Sequence, residues 1–520
     1  MRKKLVSLLL SVSMIAAMLS GCGAPKQEES ADAGQQRVSA EQEDASPEDQ
    51  ADAGEGEYPV IRMGYLIVGD VSLETQIEEQ LNAILREKAG AEVDLIGIEF
   101  GNLATQMNLM LTGGDNSLDL FNSFWYTSES NLVANGQVIA LDELLESDGA
   151  DILAQYEGYE EYLDCARIGG GLYGIPSIYA WSCENLYLVT KEASDAAGID
   201  WNGVNDLDTL TDAMIKMKEA SPDKYFIPGS TQTYWIPKDI DYLGDTNFLG
   251  VLTDPTNSTT VENYYESDYF LNFLEHVQQW KDAGLISPDP MSNSDATLVN
   301  LQYGIVDGTP GYNWDTEIGR KSSEVQYALE LYGTSLSEPL ATSGDVTTYM
   351  WHISSFCEDP AAAMRVLNVL YSDAEAAQLV GMGIEGENYV LDENGQMAFP
   401  EGKTLWDAGW GCAASALWPN ITLCESWYYE PADLYDRMRE KNASAKKSLA
   451  LGFQFDSSPV ADQVAACSNI VAQYYMPLMY AEADIETTLP EFQEQLKSAG
   501  IDEIIAEKQR QLDEWLASKE

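Results

Sequence analysis

Strand-like and helix-like segments alternate in the first part of the chain, and this alternation limits the possible folds more than any other feature of the sequence. The segment YPVIRMGYLIV is rich in β-branched and aromatic residues, and the segment after it carries apolar residues at helical spacing as far as Gly90. A strand (91–100), a helix (103–115) and a third strand (118–124) follow. This order predicts an open α/β sheet with parallel pairing.

The loops that follow these strands are candidate ligand contacts. In open α/β sheets, ligands bind beside the loops at the carboxyl ends of the strands. Asp70 follows the first strand, and Trp125 and Tyr126 follow the third. We therefore expect all three side chains to face a ligand, although Asp70 could instead cap the helix that follows it.

The N-terminus has the pattern of an export signal. Three basic residues precede a short apolar run (5–17), and the sequence Leu-Ser-Gly-Cys ends the segment at Cys22. This pattern predicts a signal peptide over residues 1–21. The last four residues resemble the lipidation motif of bacterial lipoproteins, which implies that Cys22 carries the lipid. The alternative is an ordinary signal peptide with a chance cysteine.

Residues 22–57 form an acidic tether in this interpretation. The segment has few apolar residues larger than alanine, so it cannot bury enough surface to offset the entropy of folding and is expected to be disordered. Downstream of it, no apolar stretch approaches the roughly 20 residues of a membrane-spanning helix. We therefore expect a lipid-anchored protein that lies on the membrane without crossing it.

Charge and cysteine content exclude several classes of function. The chain has 28 Lys and Arg against 86 Asp and Glu, a net charge of -58, which argues against nucleic-acid binding. The sequence has no CxxC spacing and only His276 and His352, so neither a metal site nor a cofactor is expected. Cys412 and Cys424 are the closest candidates for a short disulfide.

The order of motifs along the chain resembles a known family. A glycine-rich GGGLYGIP, then KDAGLISPD and SSFCEDPAAAMRVLNVLYSD, follow the α/β segment. Together with MNLMLTGGDNSLDLF, they resemble the family 1 extracellular solute-binding lipoproteins of ABC importers. GMGIEGENYVL, ALGFQFDSSPVADQVAACSNIV and KSAGIDEIIAEKQRQLDEWL resemble the distinctive C-terminal region of that lipoprotein subfamily. The chain departs from the family at Phe100–Leu103, where relatives often have WGDY.

The resemblance implies an α/β fold of two lobes, a type II periplasmic-binding-protein-like clamp whose lobes are joined by crossing hinge strands. It places residues 58–167 and 325–350 in the first lobe, and residues 170–320 and 352–520, with a C-terminal helical region, in the second. The crossings are expected near Ile168–Gly171, Glu324–Leu331 and Trp351–Ser355.

Aromatic residues beside turns suggest the ligand class. Sugar rings stack on aromatic faces and bind planar amide and carboxylate groups at their hydroxyls. In the family, a stacking aromatic is implied at Tyr312 to Asp315, although any of these aromatic residues could instead belong to a core. The residues expected to contact a ligand are Asp70, Trp125, Tyr126, Tyr179, Trp181, Tyr234, Trp235, Tyr312, Asn313, Trp314, Asp315 and Trp351.

The resemblance implies a monomeric receptor on the extracellular face of the cytoplasmic membrane that delivers a solute, an oligosaccharide by the argument above, to ABC permease subunits. A peptide or another polar organic solute is the alternative ligand. A secreted glycoside hydrolase and an adhesive surface lipoprotein are two further alternatives. The sequence has no GxSxG or HExxH motif, and no catalytic residue is predicted.

Overall fold

The protein is described here by a computed structural model over residues 58–114, 117–123, 128–231, 235–293, 297–404, 407, 409–410 and 415–519. The chain forms two lobes, each built on one mixed sheet with helices packed against it. Among these residues, no helix combines the length and the apolar character needed to span a bilayer.

The strands in chain order are β1 Val60–Ile67, β2 Glu92–Glu99, β3 Leu120–Asn122, β4 Arg167–Ile168, β5 Gly171–Leu172, β6 Ile175–Pro176, β7 Ser182–Thr190, β8 Gly308–Asn313, β9 Leu331–Ser335, β10 Leu340–Ala341, β11 Met350–Ile353, β12 Val390–Leu391, β13 Met397–Ala398 and β14 Lys446–Lys447.

The helices in chain order are α1 Glu74–Lys88, α2 Leu103–Met110, α3 Glu129–Ala134, α4 Asp142–Asp148, α5 Ala150–Gln155, α6 Glu160–Leu163, α7 Lys191–Ala197, α8 Leu207–Ala220, α9 Asp268–Asp282, α10 Thr297–Gln302, α11 Thr316–Tyr327, α12 Ser343–Val346, α13 Pro360–Ser372, α14 Ala374–Met382, α15 Leu434–Ser444, α16 Ala461–Met479, α17 Ile485–Ala499 and α18 Ile501–Lys519.

The first lobe contains the sheet predicted from the sequence. Its strand order is β2-β1-β3-β11-β6, and β1 pairs in parallel with both β2 and β3. The predicted parallel α/β order is therefore confirmed. Met63 of β1 lies opposite Leu95 and Leu120, and these three side chains are buried in one core.

Helices α1 and α13 cover this sheet for reasons that are visible in the sequence. Ile77, Leu81 and Leu85 recur at helical spacing on α1 and are fully buried. Asp359 caps α13 by accepting a hydrogen bond from the Ala362 backbone N–H, with proline at the first helical position. The apolar face of α13 then packs into the same core as α1.

The second lobe is organised around β7, which pairs antiparallel with β8 on one side and with β9 and β10 on the other. Alternate residues of β7 face opposite sides, as a strand requires. Tyr187 and Val189 face the large helical core, whereas Leu186 and Leu188 face a smaller cluster that also contains Leu331. The C-terminal helices α16 and α17 complete the large core.

Three chain segments cross between the lobes, and their strands lie side by side. The segments run from β6 to β7, from β10 to β11, and from α15 to β14. Cys183 at the start of β7 pairs with Leu340, and Ala341 pairs with Lys447. The crossings therefore share backbone hydrogen bonds, and they fix where the two lobes meet.

The predicted lobe boundaries differ from this arrangement and are corrected here. Residues 325–350 are expected in the first lobe, but β9 and β10 within that range belong to the second sheet. Residues 352–520 are expected in the second lobe, but α13 and the last two residues of β11 lie in that range and belong to the first lobe. The sequence cannot show which sheet accepts a short apolar strand, because β11 joins β3 antiparallel across a long sequence separation.

The predicted crossing at Ile168–Gly171 is a hairpin instead. Arg167 pairs with Leu172 and Ile168 with Gly171, so Gly169 and Gly170 form the connection between β4 and β5. Both glycines have positive φ, 59° and 92°, which glycine adopts without steric cost. The glycine run is thus a tight turn within the first lobe. The predicted crossings at Glu324–Leu331 and Trp351–Ser355 likewise lie inside the second and first lobes.

Two titratable side chains meet inside the first lobe at Gly174. A Cβ at Gly174 would lie 2.6 Å from Cε1 of His352 and 3.2 Å from Oε1 of Glu129, so the close approach requires glycine. Both side chains are buried. Among the described residues, both Glu129 carboxyl oxygens and Nε2 of His352 have no hydrogen-bond partner, while Nδ1 of His352 lies 2.9 Å from the Tyr173 carbonyl.

Burial shifts these two groups in opposite directions. It lowers the pKa of His352 from 6.5 to about 4, and it raises the pKa of Glu129 well above 4.5. As the pH falls from 6.5 towards 4, His352 binds a proton in the unfolded chain but not in the folded chain, so the free energy of unfolding decreases. As the pH rises above 4.5, the folded chain retains a proton on Glu129 that the unfolded chain releases, which also costs stability.

Replacing Glu129 with leucine removes the stability loss that arises because Glu129 stays protonated in the folded chain above pH 4.5. We expect E129L to raise the melting temperature more at pH 7.5 than at pH 5, because the wild-type penalty grows by about 1.4 kcal/mol per pH unit between the unfolded and folded pKa values. Scanning calorimetry of wild type and variant at both pH values measures the difference. Glu146→Leu, at an exposed position of α4, is the matched control. An equal gain for E129L at both pH values would contradict the assignment.

Candidate functional site

The segment Tyr312 to Asp315 lies at the boundary between the lobes. It ends β8, where Tyr312 pairs with Asn185 and Asn313 with Glu184. Asp315 caps α11, and its carboxylate accepts hydrogen bonds from two backbone N–H groups at 3.0 and 3.2 Å. The capped helix start therefore holds the loop in place after β8.

The side chains of this segment are only partly covered. Tyr312 is 40% exposed, while Asn313, Trp314 and Asp315 are half-buried. From α15 of the first lobe, Lys441 donates a hydrogen bond to the Trp314 carbonyl at 3.0 Å. The segment predicted to contact a ligand thus faces the opposite lobe.

A buried ion pair lies beside Tyr312. The Nζ atom of Lys238 is 2.7 Å from the Asp345 carboxylate, and their side chains are 6% and 11% exposed. Burial is the largest single effect and opposes the charge on Lys238, but Asp345, followed by the nearby Tyr242, Cys183 and Tyr312, together outweigh it and raise the pKa of Lys238. The same ammonium group lies 4.7 Å from the centre of the Tyr312 ring, within range of a cation–π interaction. The pair joins the second lobe to α12, which lies on a crossing segment.

Two further tyrosines complete this group. The hydroxyl of Tyr179, a predicted contact, donates to the Asp345 carbonyl, and its ring lies 5.4 Å from the ring of Tyr349. Tyr349 also packs against the first lobe beside β1 and β3. The structure therefore brings Tyr179 and Tyr312 together around the Lys238 and Asp345 pair. Sequence reasoning missed Lys238, Asp345 and Tyr349, because nothing in their local patterns distinguishes them.

Asp70 lies in an exposed loop at the carboxyl end of β1. Its carboxylate accepts a hydrogen bond from the Ser72 backbone N–H at 2.8 Å, so part of it stabilises the turn before α1. The loop lines a small hollow together with Trp410 and Trp418. The ring of Tyr65 lies 5.1 Å from Trp410 and 5.8 Å from Trp418, which makes an aromatic wall beside Asp70.

Two predicted contacts are core residues. Trp181 is fully buried among tyrosines of the first lobe, and its indole N–H donates to the Ser177 carbonyl at 2.9 Å. Trp351 is 1% exposed in β11 and packs 6.1 Å from Trp418. Neither has surface available to a ligand in this structure, because each strand or crossing directs the ring into the apolar core. We therefore leave both out of the candidate site.

Trp235 lines a separate cavity of about 250 Å³ in the second lobe. Its indole is largely buried, and its neighbours in the wall include the partly buried carboxylate of Asp239. Burial raises the pKa of Asp239, although hydrogen bonds from Tyr269 at 2.7 Å and Asn185 at 3.1 Å oppose the shift. The cavity is lined by Asn185, Asp206, Leu207, Asp208, Trp235, Asp239, Tyr269, Asn272, Phe273, His276 and Leu336.

Some predicted residues lie outside the described part of the chain. They are Cys22, Trp125, Tyr126, Tyr234 and Cys412. The described cysteines, Cys424 among them, are free thiols. Within the described residues, no group of three or more His, Cys, Asp or Glu side chains could hold a metal ion.

Comparisons with known proteins agree with this architecture. A curated carbohydrate ABC transporter substrate-binding protein from Streptococcus pneumoniae serotype 4 is 25% identical over 492 residues, 90% of this chain and 93% of that protein. The N-glycan transport solute binding protein NgtS from the same species superposes with a TM-score of 0.74 at 22% identity, covering 89% of this chain and all of that one.

A more distant structure shares the fold. An HMO-binding, ABC-transporter-associated solute-binding protein from Bifidobacterium longum infantis superposes with a TM-score of 0.60 at 15% identity, over 89% of this chain and 100% of that chain.

Two family descriptions match the chain. Residues 449–517 match a domain of unknown function, DUF3502. Residues 73–377, more than half of the chain, match the bacterial extracellular solute-binding proteins. With its two lobes, three crossings and partly exposed tyrosine between them, the chain belongs to the bacterial extracellular solute-binding protein family.

Proposed function

We propose that this protein binds an oligosaccharide outside the cell and delivers it to the permease subunits of an ABC importer. The observation that carries the proposal is the partly exposed ring of Tyr312, held between the lobes by a buried ion pair and followed by amide and carboxylate side chains. Stacking faces with planar polar neighbours are what sugar rings require.

The relatives support the same ligand class. The curated relative is described as a carbohydrate transporter component, and NgtS has been crystallised with Man1GlcNAc and with Man5GlcNAc. Two lobes that close around a ligand gain contacts that neither lobe offers alone, and these contacts offset the cost of closure. The chain acts as a monomer in this proposal, since one pair of lobes completes one site.

The proposed contacts come from both lobes. Among the described residues of the second lobe they are Trp235, Tyr312, Asn313, Trp314 and Asp315, and in the first lobe and at the first crossing they are Asp70 and Tyr179. Trp125, Tyr126 and Tyr234, outside the described residues, are proposed as contacts from their sequence positions alone. The cavity beside Trp235 is large enough for one sugar unit and combines aromatic walls with carboxylate and amide groups.

A screen of ligands by thermal shift identifies the solute. A compound that binds only the folded state raises the melting temperature by mass action. Neutral mono- and oligosaccharides, including Man5GlcNAc, and short peptides should be compared, and each hit recovered to show that its bonds are intact. A shift with peptides alone would replace the sugar proposal, and new reducing ends would indicate a hydrolase.

Tyr312→Ala tests the site with the sugar found in the screen. We expect about five- to thirtyfold weaker binding by calorimetry, because a stacking contact of this kind contributes about 1–2 kcal/mol and about 1.4 kcal/mol is a factor of ten. The melting temperature without ligand should change little, since Tyr312 is 40% exposed. Tyr303→Ala is the matched control, because Tyr303 is 56% exposed beyond α10. Unchanged affinity in Y312A would remove Tyr312 from the site.

We also propose that Cys22 carries a lipid that anchors the chain to the membrane. Two acyl chains bury enough methylene groups for stable attachment, and the acidic segment that follows would hold the lobes away from the surface.

Cys22→Ser should release the protein into the medium, since serine cannot form the thioether to the lipid. Cell fractionation together with incorporation of labelled palmitate measures this, and Cys357→Ser, a change within the folded domain, is the control. Retention of C22S in the membrane fraction, or absence of label in wild type, would contradict the anchor.

A further inference from the structure

A cluster of charged side chains spans the two lobes next to Trp314. Arg437 and Lys441 project from α15 and are one helical turn apart, so they share a face. Opposite them lie Glu184 of β7 and, at the start of α11, Asp315 and Glu317. We call these five residues the inter-lobe ion cluster.

The cluster is centred on Asp315. Its carboxylate lies 3.6 Å from Arg437 and 3.7 Å from Lys441, and it also caps α11. Lys441 lies 3.8 Å from Glu184, whose other oxygen accepts hydrogen bonds from the backbone and hydroxyl of Thr316. Hydrogen bonds within the second lobe thus hold the carboxylates of Asp315 and Glu184, in addition to their ion pairs with the cations.

The helix that carries the two cations is held by the first lobe. Helix α15 is held there by hydrogen bonds from the Tyr159 and Tyr162 hydroxyls to its backbone carbonyls at 3.0 and 2.7 Å. At its end, the Asn442 side chain accepts a hydrogen bond from the Trp181 backbone N–H at 2.9 Å and donates one to the Tyr179 carbonyl at 2.7 Å. The backbone and the end of the helix are therefore held by the first lobe and the first crossing.

The cluster also contacts the proposed ligand segment directly. Lys441 donates to the Trp314 carbonyl at 3.0 Å, so one cation of the first lobe holds the backbone between Tyr312 and Asp315. The side chains are partly shielded, with Lys441 31%, Asp315 15% and Glu184 8% exposed. Partial burial makes such pairs stronger than exposed ones, while added salt still weakens them.

We propose that Lys441 and Arg437 are positioning residues for ligand capture, which couple the angle between the lobes to the placement of the Tyr312–Asp315 segment. The proposal rests on the function proposed above, since it concerns the same site. It implies that affinity and lobe geometry depend on ionic strength, although the ligand itself is uncharged. A neutral ligand bound by a rigid site would show almost no such dependence.

The test uses the full folded chain and its Lys441→Met and Arg437→Met variants. Affinity for the neutral oligosaccharide found in the screen is measured at low and high sodium chloride, and small-angle scattering gives the radius of gyration without ligand. For K441M we expect a Kd that differs three- to tenfold from the wild-type value at low salt, a Kd that depends less on salt than in wild type, and an altered radius of gyration. Lys441→Arg should keep the wild-type value of all three, because it keeps the charge.

Lys497→Met is the matched control. Lys497 makes an exposed ion pair with Asp502 at 4.0 Å, within the C-terminal helices of one lobe. Its loss should leave Kd, salt dependence and radius unchanged. If K441M and R437M bind as wild type at every salt concentration with the same radius, the proposal is overturned. A cluster with only a stabilising role would lower the melting temperature of these variants without changing Kd.

The result separates this proposal from the proposed function. If wild type binds no saccharide, the function fails, and the radius without ligand still tests the cluster by itself. In that case, an equal response of wild type and K441M to salt would also overturn the cluster proposal, whereas a radius that responds to salt only in wild type would support it.

Discussion

The rest of the structure depends on the pairing of the three crossing segments with one another. A chain that leaves one lobe and enters another exposes backbone N–H and C=O groups that need hydrogen-bond partners. Here the start of β7 pairs with β10, and β10 pairs with β14. The backbone groups of each crossing therefore find hydrogen-bond partners in the neighbouring crossing. This shared ladder fixes the end of β8 beside the first lobe, and the candidate site lies there.

The buried pair of Lys238 and Asp345 strengthens this junction at a single point. Removing one partner of such a pair typically costs about 3–5 kcal/mol, because the other charge stays buried without compensation. The pair joins Lys238, in the loop of the second lobe that contains Trp235, to Asp345 of α12, a helix within the second crossing. Through Lys238 it also connects the ring of Tyr312 to the second crossing.

Basic residues are few in this chain, and three of them lie at the boundary between the lobes. With 28 Lys and Arg against 86 Asp and Glu, any cation in this chain has many possible partners. Lys238, Arg437 and Lys441 nevertheless lie where the two lobes meet. Lys238 pairs with the carboxylate of Asp345, and the other two pair with that of Asp315. Attraction across the boundary therefore acts against the repulsion that so acidic a pair of lobes must otherwise experience.

Local patterns in the sequence determined the strand and helix order at the start of the first lobe and the resemblance to the family, because hydrophobic period, turn residues and caps act over a few neighbouring positions. They also placed Tyr312 and Asp315 at the end of a strand. They could not determine that 350–353 would join the first sheet, that the glycines at 169–170 would close a hairpin, or that Trp181 and Trp351 would be buried. The hairpin at 169–170 is local, but the sequence does not show that its two short strands pair with each other rather than leading into the second lobe. The place of 350–353 in the first sheet, the meeting of Lys238 with Asp345 and that of Lys441 with Trp314 join residues more than a hundred positions apart. The burial of Trp181 and Trp351 depends on which rings the folded chain packs around them, and only the tertiary structure decides these contacts.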